Sequence, residues 1–575
     1  QTRRWYRYHP LFAEALRERQ ARQQPDLLRE DHARAARWFA TQGAGQSAIQ
    51  HALAAEDYPL ARTLMGPELE SMLRRGEMAT VLMWFHAIPL AEVETSPHLL
   101  LLMLLALLMA GEITPATDLL MAQESRLAAC GLSPVLRGEL ATVQAFADMR
   151  AGKLSQATQR IQAAMSDLSA EAGVIYDLAC LLYGATVPLF AQNIAQSLHM
   201  MTSTARSSLR SGNYQIASFA LENRVHKELS QGRLRQAERT CQEILRINQN
   251  RQPSSAYLAD LHLGEIYSEW NQLEQARESL ERGLAVGSSF KQPEILVDGY
   301  IALARLHHLR GDQAAVNTNL DELEYFVLTD QVAPHTAWQI EACRARLQCA
   351  RGNLAEATRW AQDYEETRRR ADQQIPPALT DFSDFTLARI WLASGQYDAA
   401  RCLLHDLLTG AQATDRGRSC LEACLLLALL EQTQGQSVQA CGFLTRALEL
   451  AAPEGFVRLF LDEGPAMNEL LSCYLNRAAQ ATTLRQRTAL AHARLLLRQT
   501  RSDSTAAPLP ERLSTREMEI LQRLAAGRAN SAIADELCLA LSTVKWHILH
   551  LYRKLDVQTR LQAVARARAL HLLAE

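Results

Sequence analysis

Residues 258–284 read LADLHLGEIYSEWNQLEQARESLERGL, and this stretch decides the fold. Leu258, Leu261, Leu263 and Ile266 recur at helical spacing, Asn271 interrupts them, and Leu273, Ala276, Leu280 and Leu284 then recur in the same way. Spacings of three and four predict two helices, each with a one-sided apolar stripe. The residue at the Asn271 position can take the left-handed conformation that closes a helix. Ala276, five positions on, lies one turn into the second helix, where a small side chain lets two helices approach closely.

Working outward, the same pair of signals returns at Gly232…Ala237, Gly311…Val316, Gly352…Ala357, Gly395…Ala400 and Gly435…Ala440. From Gly232 through Asn271 to Gly435 the anchors are 39, 40, 41, 43 and 40 residues apart. Less regular copies are Gly111…Ala116, Gly152…Ala157 and Gly212…Ala217. One hairpin cannot bury its own stripe, so stacked neighbours must supply the core. The expected fold class is all-α, a TPR-like helical-repeat superhelix. Its helices should be longer than those of the tetratricopeptide repeat, whose period is about 34 residues.

The chain has 575 residues, which implies several domains. A net charge of −3 gives no argument for a polyanionic partner from the whole chain, but basic charge is local. Residues 475–510 carry six arginines against one acid, and residues 511–575 carry ten Lys and Arg against seven acids. Eleven cysteines are scattered without a CxxC pair; Cys420 and Cys424 are one helical turn apart. They read as buried reduced thiols rather than a disulfide or metal framework. The greasiest run, Leu99 to Ala110, is too short to span a bilayer and reads as a buried helix, so no membrane partner is expected. No signal peptide is recognised, and the expected location is the cytoplasm. The chain opens on Gln1 in structured-looking sequence and is expected to be the C-terminal part of a longer protein.

Residues 1–70 differ from the repeats. Trp5-Tyr6-Arg7-Tyr8-His9-Pro10-Leu11-Phe12 is an aromatic stretch feeding a helix to about Gln23, and a second helix is expected from Pro25 to Thr41. An aromatic strand before a helix suggests the tail of a winged-helix-like module. The helical array is assigned to 71–500. Ser502 to Pro510 is small, polar and proline-bearing, which marks a linker over 501–510 and a separate domain over 511–575.

In that last domain Ser514 and Glu517 form a capping box. The helix they open points Met518, Leu521, Leu524 and Ala525 inward and stops at Gly527. Asn530 caps a short helix that buries Ile533, Ala534 and Leu537. A tight turn at Leu539-Ala540 leads to a third helix from Ser542-Thr543, striped by Val544, Ile548, Leu551 and Leu555. A fourth begins near Thr559 and carries Leu561, Val564, Ala565 and Leu572. Two short helices joined by a tight turn in a four-helix domain match a helix-turn-helix. The outer face of the third helix shows Lys545, Trp546, Leu549 and Arg553, with Thr543 at its start. Its terminal N–H groups and the Thr543 hydroxyl can hold a phosphate. Lys545 can reach guanine or a phosphate, and Trp546 and Leu549 can touch a thymine methyl.

Over residues 513–565 the pattern Leu513-Ser514-Thr515-Arg516-Glu517…Gly527…Asn530…Ile533-Ala534…Ser542-Thr543-Val544-Lys545…Leu551-Tyr552…Lys554-Leu555 closely resembles the LuxR-type helix-turn-helix. The resemblance implies a helix-turn-helix from Asn530 to Leu549. It places Lys545, Trp546 and Leu549 in the major groove and Thr543 and Lys554 on the DNA backbone. Ser531-Ala532, Ala540, His550 and Asp556 depart from common family residues, and the bulky Trp546 keeps an operator sequence from being transferred. Tyr6 to Phe12, the His32 to Leu53 stretch and Gly455-Phe456-Val457-Arg458…Phe460-Leu461-Asp462-Glu463-Gly464 resemble the large MalT-like members of this family.

That resemblance implies an inducer-responsive activator. Double-stranded DNA and RNA polymerase would be its partners, with a small-molecule inducer or regulatory protein on the repeat array and a homo-oligomer on DNA, dimerising through the fourth helix. It also implies an ATP-binding domain. Only five lysines are present and none lies in G-x-x-x-x-G-K-[ST], so no cofactor is expected in this chain; ATP would act through a domain upstream of Gln1. The alternative from another class is a repeat scaffold that does not bind DNA.

No catalytic residues, metal ligands or enzymatic activity are assigned. His547 and His550 lack a third ligand. His307-His308 read as surface residues, Asp381 and Asp384 as a polar turn and helix cap, and His9 as a packing residue.

Overall fold

The computed structural model describes residues 9, 16, 19–20, 22–129, 131–169, 173–191, 194–251, 255–288, 293–329, 332–370, 375–477, 483–505, 515–528, 530–537, 544, 547–548, 551, 560, 563 and 567. These residues form two compact units, divided between Leu496 and Leu497. Among them no strand occurs. Most of the Trp5–Phe12 stretch, and with it the expected strand, lies outside the described residues.

All nine repeat anchors take the left-handed conformation, with φ from 61° at Asn271 to 82° at Gly111. The reason is visible in the hydrogen bonds. The Gly232 N–H donates to the Leu229 carbonyl at 2.8 Å and the Arg233 N–H reaches back to Glu228 at 2.8 Å. Asn271 to Ser268 and Gln272 to Tyr267 repeat the pair at 2.9 and 2.8 Å. This double bond satisfies carbonyls that a helix end would leave orphaned, and it requires positive φ at the anchor. The next helix then starts at once: Tyr214–Ser230 is followed by Leu234–Asn248, and Ala256–Glu269 by Leu273–Gly287. The small residue five places after each anchor is buried in every copy.

Stacking supplies the core as expected. Leu258 and Leu261 pack with Ala276, Leu280 and Leu284 of their own hairpin and with Leu296, Leu303 and Leu306 of the next. Val297, Ile301 and Ala304 carry the core onward to Val316, Leu320, Ile340 and Leu347. Close approach is real: a Cβ on Gly264 would lie 2.4 Å from Leu280 Cγ. One expectation is corrected. The Ala256–Glu269 helix is not one-sided, since Leu258, Leu261, Leu263, Gly264 and Ile266 are all buried, along with the polar His262 and Glu269. First helices of the hairpins face their partner on one side and neighbouring first helices on the other, so only the second helices keep a solvated face.

Two further expectations hold. The greasy run forms the buried helix Pro97–Met109, capped by the Ser96 hydroxyl accepting from the Leu99 N–H at 3.4 Å. No described helix is long and apolar enough to cross a membrane. The Pro25–Thr41 helix appears with the bounds expected. Helix Leu484–Thr505 runs five residues into the stretch assigned to the linker.

The array curls until distant turns meet. The Trp270 Nε1–H donates to the Glu454 carbonyl at 2.9 Å, and the Val457 N–H donates to the Glu269 carbonyl at 2.9 Å. Arg418 pairs with Glu269 at 3.2 Å and Arg305 with Asp462 at 2.9 Å. At the tightest point a Cβ on Gly417 would lie 2.3 Å from the Gln231 carbonyl oxygen. The Pro453–Gly464 segment thus closes the ring.

Candidate functional site

Closure of the ring encloses a cavity of about 600 Å³ within the first unit. Its walls draw on residues from Met149 to Leu459, so most of the hairpins contribute. Many lining side chains are charged. Most are matched: Arg305 with Asp462, Arg416 with Asp381, Arg418 with Glu269. Three are not. Among the described residues Lys227, Glu265 and Arg346 have no hydrogen bond or ion pair from their charged groups, and all three line the cavity.

All three are half-buried, and their surroundings shift them. Burial brings the Lys227 ammonium down to about 8. It raises the Glu265 carboxyl, with Asp298 adding to the effect and His262 opposing it. Burial lowers Arg346 to about 10, helped by the cations Arg389 and Arg305. His226 beside them is pushed up to about 9, because Glu222, at 2.7 Å, outweighs burial. Its side chain is 45% exposed, and what it is exposed to is this cavity, which it lines.

Around the cavity lies a frame of satisfied charge. Arg389 donates to Glu422 at 2.7 Å and to Glu463 at 2.6 Å. Asp384 accepts from the Tyr364 hydroxyl at 3.0 Å and pairs with Arg368 at 2.8 Å. Asp381 is held by Arg416 and Ser419. Asp381 and Asp384 stand in the first turn of the Asp381–Ala393 helix and tie helices together. His307 and His308 are half-buried, and burial lowers both. His9 is exposed, against its expected packing role. Among the described cysteines Cys180, Cys241, Cys343, Cys420 and Cys424 are buried free thiols, whereas Cys402 is exposed.

In the second unit, helix Thr515–Ala525 closes at Gly527, φ 79°, and helix Asn530–Glu536 follows. Ile520, Leu521, Leu524, Ile533, Ala534, Leu537, Val544, Ile548 and Leu551 form one core with Ala563 and Ala567. The expected inward faces of the first three helices are there, with Ile520 added; Ala525 is only half-buried. Arg560 donates to the carbonyls of Leu524 and Arg528 at 2.9 and 2.8 Å, holding the end of the first helix. Thr543, Lys545, Trp546, Leu549, Arg553 and Lys554 all lie outside the described residues. So do Ser514, His550 and the fourth-helix residues Leu561, Val564, Ala565 and Leu572.

The cavity residues were not singled out by sequence reasoning. The signal available was polar residues inside apolar helices, such as His262 and Glu265, but their convergence depends on chain segments far apart.

The family described as MalT-like TPR region matches residues 138–477, and bacterial regulatory proteins of the luxR family match residues 511–567. The HTH-type transcriptional regulator MalT of Serratia proteamaculans (strain 568) is 26% identical over 600 aligned positions, covering 98% of this chain and 64% of that protein. The chain therefore spans less than two thirds of that relative's length. Among solved structures, a Rap protein complexed with competence and sporulation factor is similar at a TM-score of 0.38 and 13% identity, over 72% of this chain and 98% of that one. The Cut9–Hcn1 hetero-tetramer of the APC/C is similar at a TM-score of 0.31 and 11% identity, over 81% and 96%. Neither likeness carries further weight. With an array matching one family over more than half the chain and a helix-turn-helix core matching another, the chain belongs to the luxR-family transcriptional regulators that carry a MalT-like TPR region.

Proposed function

We propose that the protein is an effector-controlled transcription activator, in which a small charged molecule bound inside the array governs DNA binding by the C-terminal domain. The observation that carries the effector half is the set of partnerless charges at Lys227, Glu265 and Arg346. All three are half-buried and open onto the cavity, so their charged groups lack a protein partner and are placed to meet a ligand. A cavity of about 600 Å³ has the size of a small-molecule site. Groups of both signs favour a ligand bearing both anionic and cationic or donor groups. A cavity inside the ring suits a small molecule better than a regulatory protein.

The DNA half rests on residues 511–567. Val544, Ile548 and Leu551 belong to the core. The sequence then offers Lys545, Trp546 and Leu549 for base edges, Thr543 and Lys554 for phosphates, and Arg553 beside them. In this reading the protein works in the cytoplasm as a homo-oligomer on repeated half-sites. It recruits RNA polymerase and answers to ATP where a nucleotide-binding domain accompanies it.

The test is salt-dependent binding of the full chain to duplex DNA. Binding should weaken steeply with salt. Lys545→Ala should bind at least about tenfold more weakly and show a salt slope shallower by about one. Unchanged affinity and slope in that variant would refute the assignment of the recognition helix.

A further inference from the structure

We propose that Glu222, His226 and His262 form a binding site for one divalent transition-metal ion of the zinc class, at the floor of the cavity. Glu222 and His226 stand four residues apart on the Tyr214–Ser230 helix, so they share a face. His262 comes from the Ala256–Glu269 helix of the next hairpin. One ligand atom from each residue lies within 4.8 Å of the other two. Glu222 Oε1 is 2.7 Å from His226 Nε2 and 3.6 Å from His262 Nε2, so both ring nitrogens converge on one carboxylate oxygen. Tetrahedral zinc with bonds of about 2.0–2.1 Å sets its ligand atoms about 3.3 Å apart. The two distances from Glu222 Oε1, 2.7 and 3.6 Å, bracket that spacing.

An independent observation points to a ligand. His262 is only 5% exposed. Its Nε2 stands 3.6 Å from Glu222 Oε1, and its Nδ1 has no hydrogen-bond partner among the described residues. A buried imidazole with an unsatisfied nitrogen is costly, and a metal bond to the ring would offset that cost. Two histidines and a carboxylate are a zinc-type donor set that leaves coordination positions open. His226 lines the cavity while Glu222 and His262 are buried, so the open side faces the cavity. Glu265, three residues after His262, also lines the cavity. The site does not depend on the effector reading: the ion can bind whether or not a small molecule enters.

The experiment is titration of the chelator-treated full chain with Co²⁺, followed by Zn²⁺ competition. The expected result is one equivalent of Co²⁺ with the intense visible bands of a four-coordinate nitrogen–oxygen site, displaced by Zn²⁺. His226→Ala and Glu222→Gln should each weaken binding at least about tenfold, on the scale at which ligand losses act. Folding of both variants is checked by far-UV circular dichroism. Should a variant fail to fold, Zn²⁺ must still raise the thermal midpoint of the unaltered chain. Absence of stoichiometric binding, or a near-ultraviolet thiolate band with affinity unchanged in the folded variants, would overturn the proposal. The triad would then be an ion pair only, or the metal would sit on cysteines.

Discussion

Replacing Arg389 with methionine tests how the ring is closed. One guanidinium joins three elements: its own helix Asp381–Ala393, Glu422 on helix Gly417–Thr433, and Glu463 in the closing segment. Arg389 and Glu463 are each 10% exposed, and Glu422 is hardly more. The Glu422 carboxyl is held below its ordinary range although burial opposes it, with Arg389 the leading cause. Methionine fills the volume but leaves two carboxylates unpaired in a low-dielectric site. Breaking a buried pair in this way costs about 3 kcal/mol or more. That energy should appear in the Pro453–Gly464 segment, which is also held by the Arg305–Asp462 pair, by the Val457 N–H to the Glu269 carbonyl and by the buried Phe456 and Phe460. About 3 kcal/mol raises the population of a locally open segment roughly 10²-fold. Hydrogen exchange read by mass spectrometry should therefore show the amides of Val457, Phe460, Leu461 and Asp462 exchanging about 10²-fold faster. Amides of the Leu234–Asn248 helix should change little. Adding Glu422→Gln and Glu463→Gln should restore much of the protection. Unaltered exchange at Val457 in a folded Arg389→Met chain would refute the clamp.

The same physics gives three more expectations. Gly311→Ala pays only for its left-handed φ of 73°, with nothing within 4 Å of the added methyl, so about 1 kcal/mol is expected; Gly264→Ala, 2.4 Å from Leu280 Cγ, should cost about 1–3 kcal/mol by overpacking, and thermal denaturation should rank them. His98 donates to Glu139 at 2.9 Å and faces Glu70 at 3.5 Å, which raise it to about 9. Its stabilisation is whole below its ordinary 6.5 and is lost as pH rises through about 9; with its partial exposure discounted the effect is about 1 kcal/mol, so the stability advantage over His98→Gln should shrink between those pH values. Lys227→Met removes a partnerless charge and should raise the thermal midpoint of the ligand-free protein; a fall would show that the ammonium is already satisfied.

What was legible in the sequence is what the backbone settles locally. The nine anchors could be read because positive φ after a helix needs glycine or asparagine, and Asn271 behaves as its glycine counterparts do. The core of the second unit was legible for the same kind of reason, since Leu521, Leu524, Ile533, Val544, Ile548 and Leu551 follow helical spacing. One reading failed on packing. The Ala256–Glu269 helix looked one-sided until neighbouring hairpins covered its other face. In the last domain Ala563 and Ala567 join the core, small residues that hydrophobic spacing undervalues, while the residues expected to carry the fourth helix lie outside the described ones. The cavity was illegible because closure joins Glu269 to Val457 across most of the array. His262 and Glu265 look, in sequence, like interruptions of an apolar helix, and only the curl of the superhelix turns them into a site.

The energies of clamp and cavity have a consequence for control. The closing segment lends Leu459 to the cavity wall and Glu463 to Arg389. Under the proposed function, an effector that binds only while the ring is closed would stabilise closure by about 2.7 kcal/mol at a hundred times its dissociation constant. That matches the roughly 3 kcal/mol assigned to the Arg389 clamp. Two terms of equal size on one equilibrium are what a switch requires, since a much stronger clamp would leave the effector nothing to change. Under the proposed function, Arg389→Met should therefore make closure depend more on the effector. Protection at Val457 would then respond to effector concentration more strongly in the variant than in the unaltered chain, and an equal response in both would separate the clamp from the ligand site.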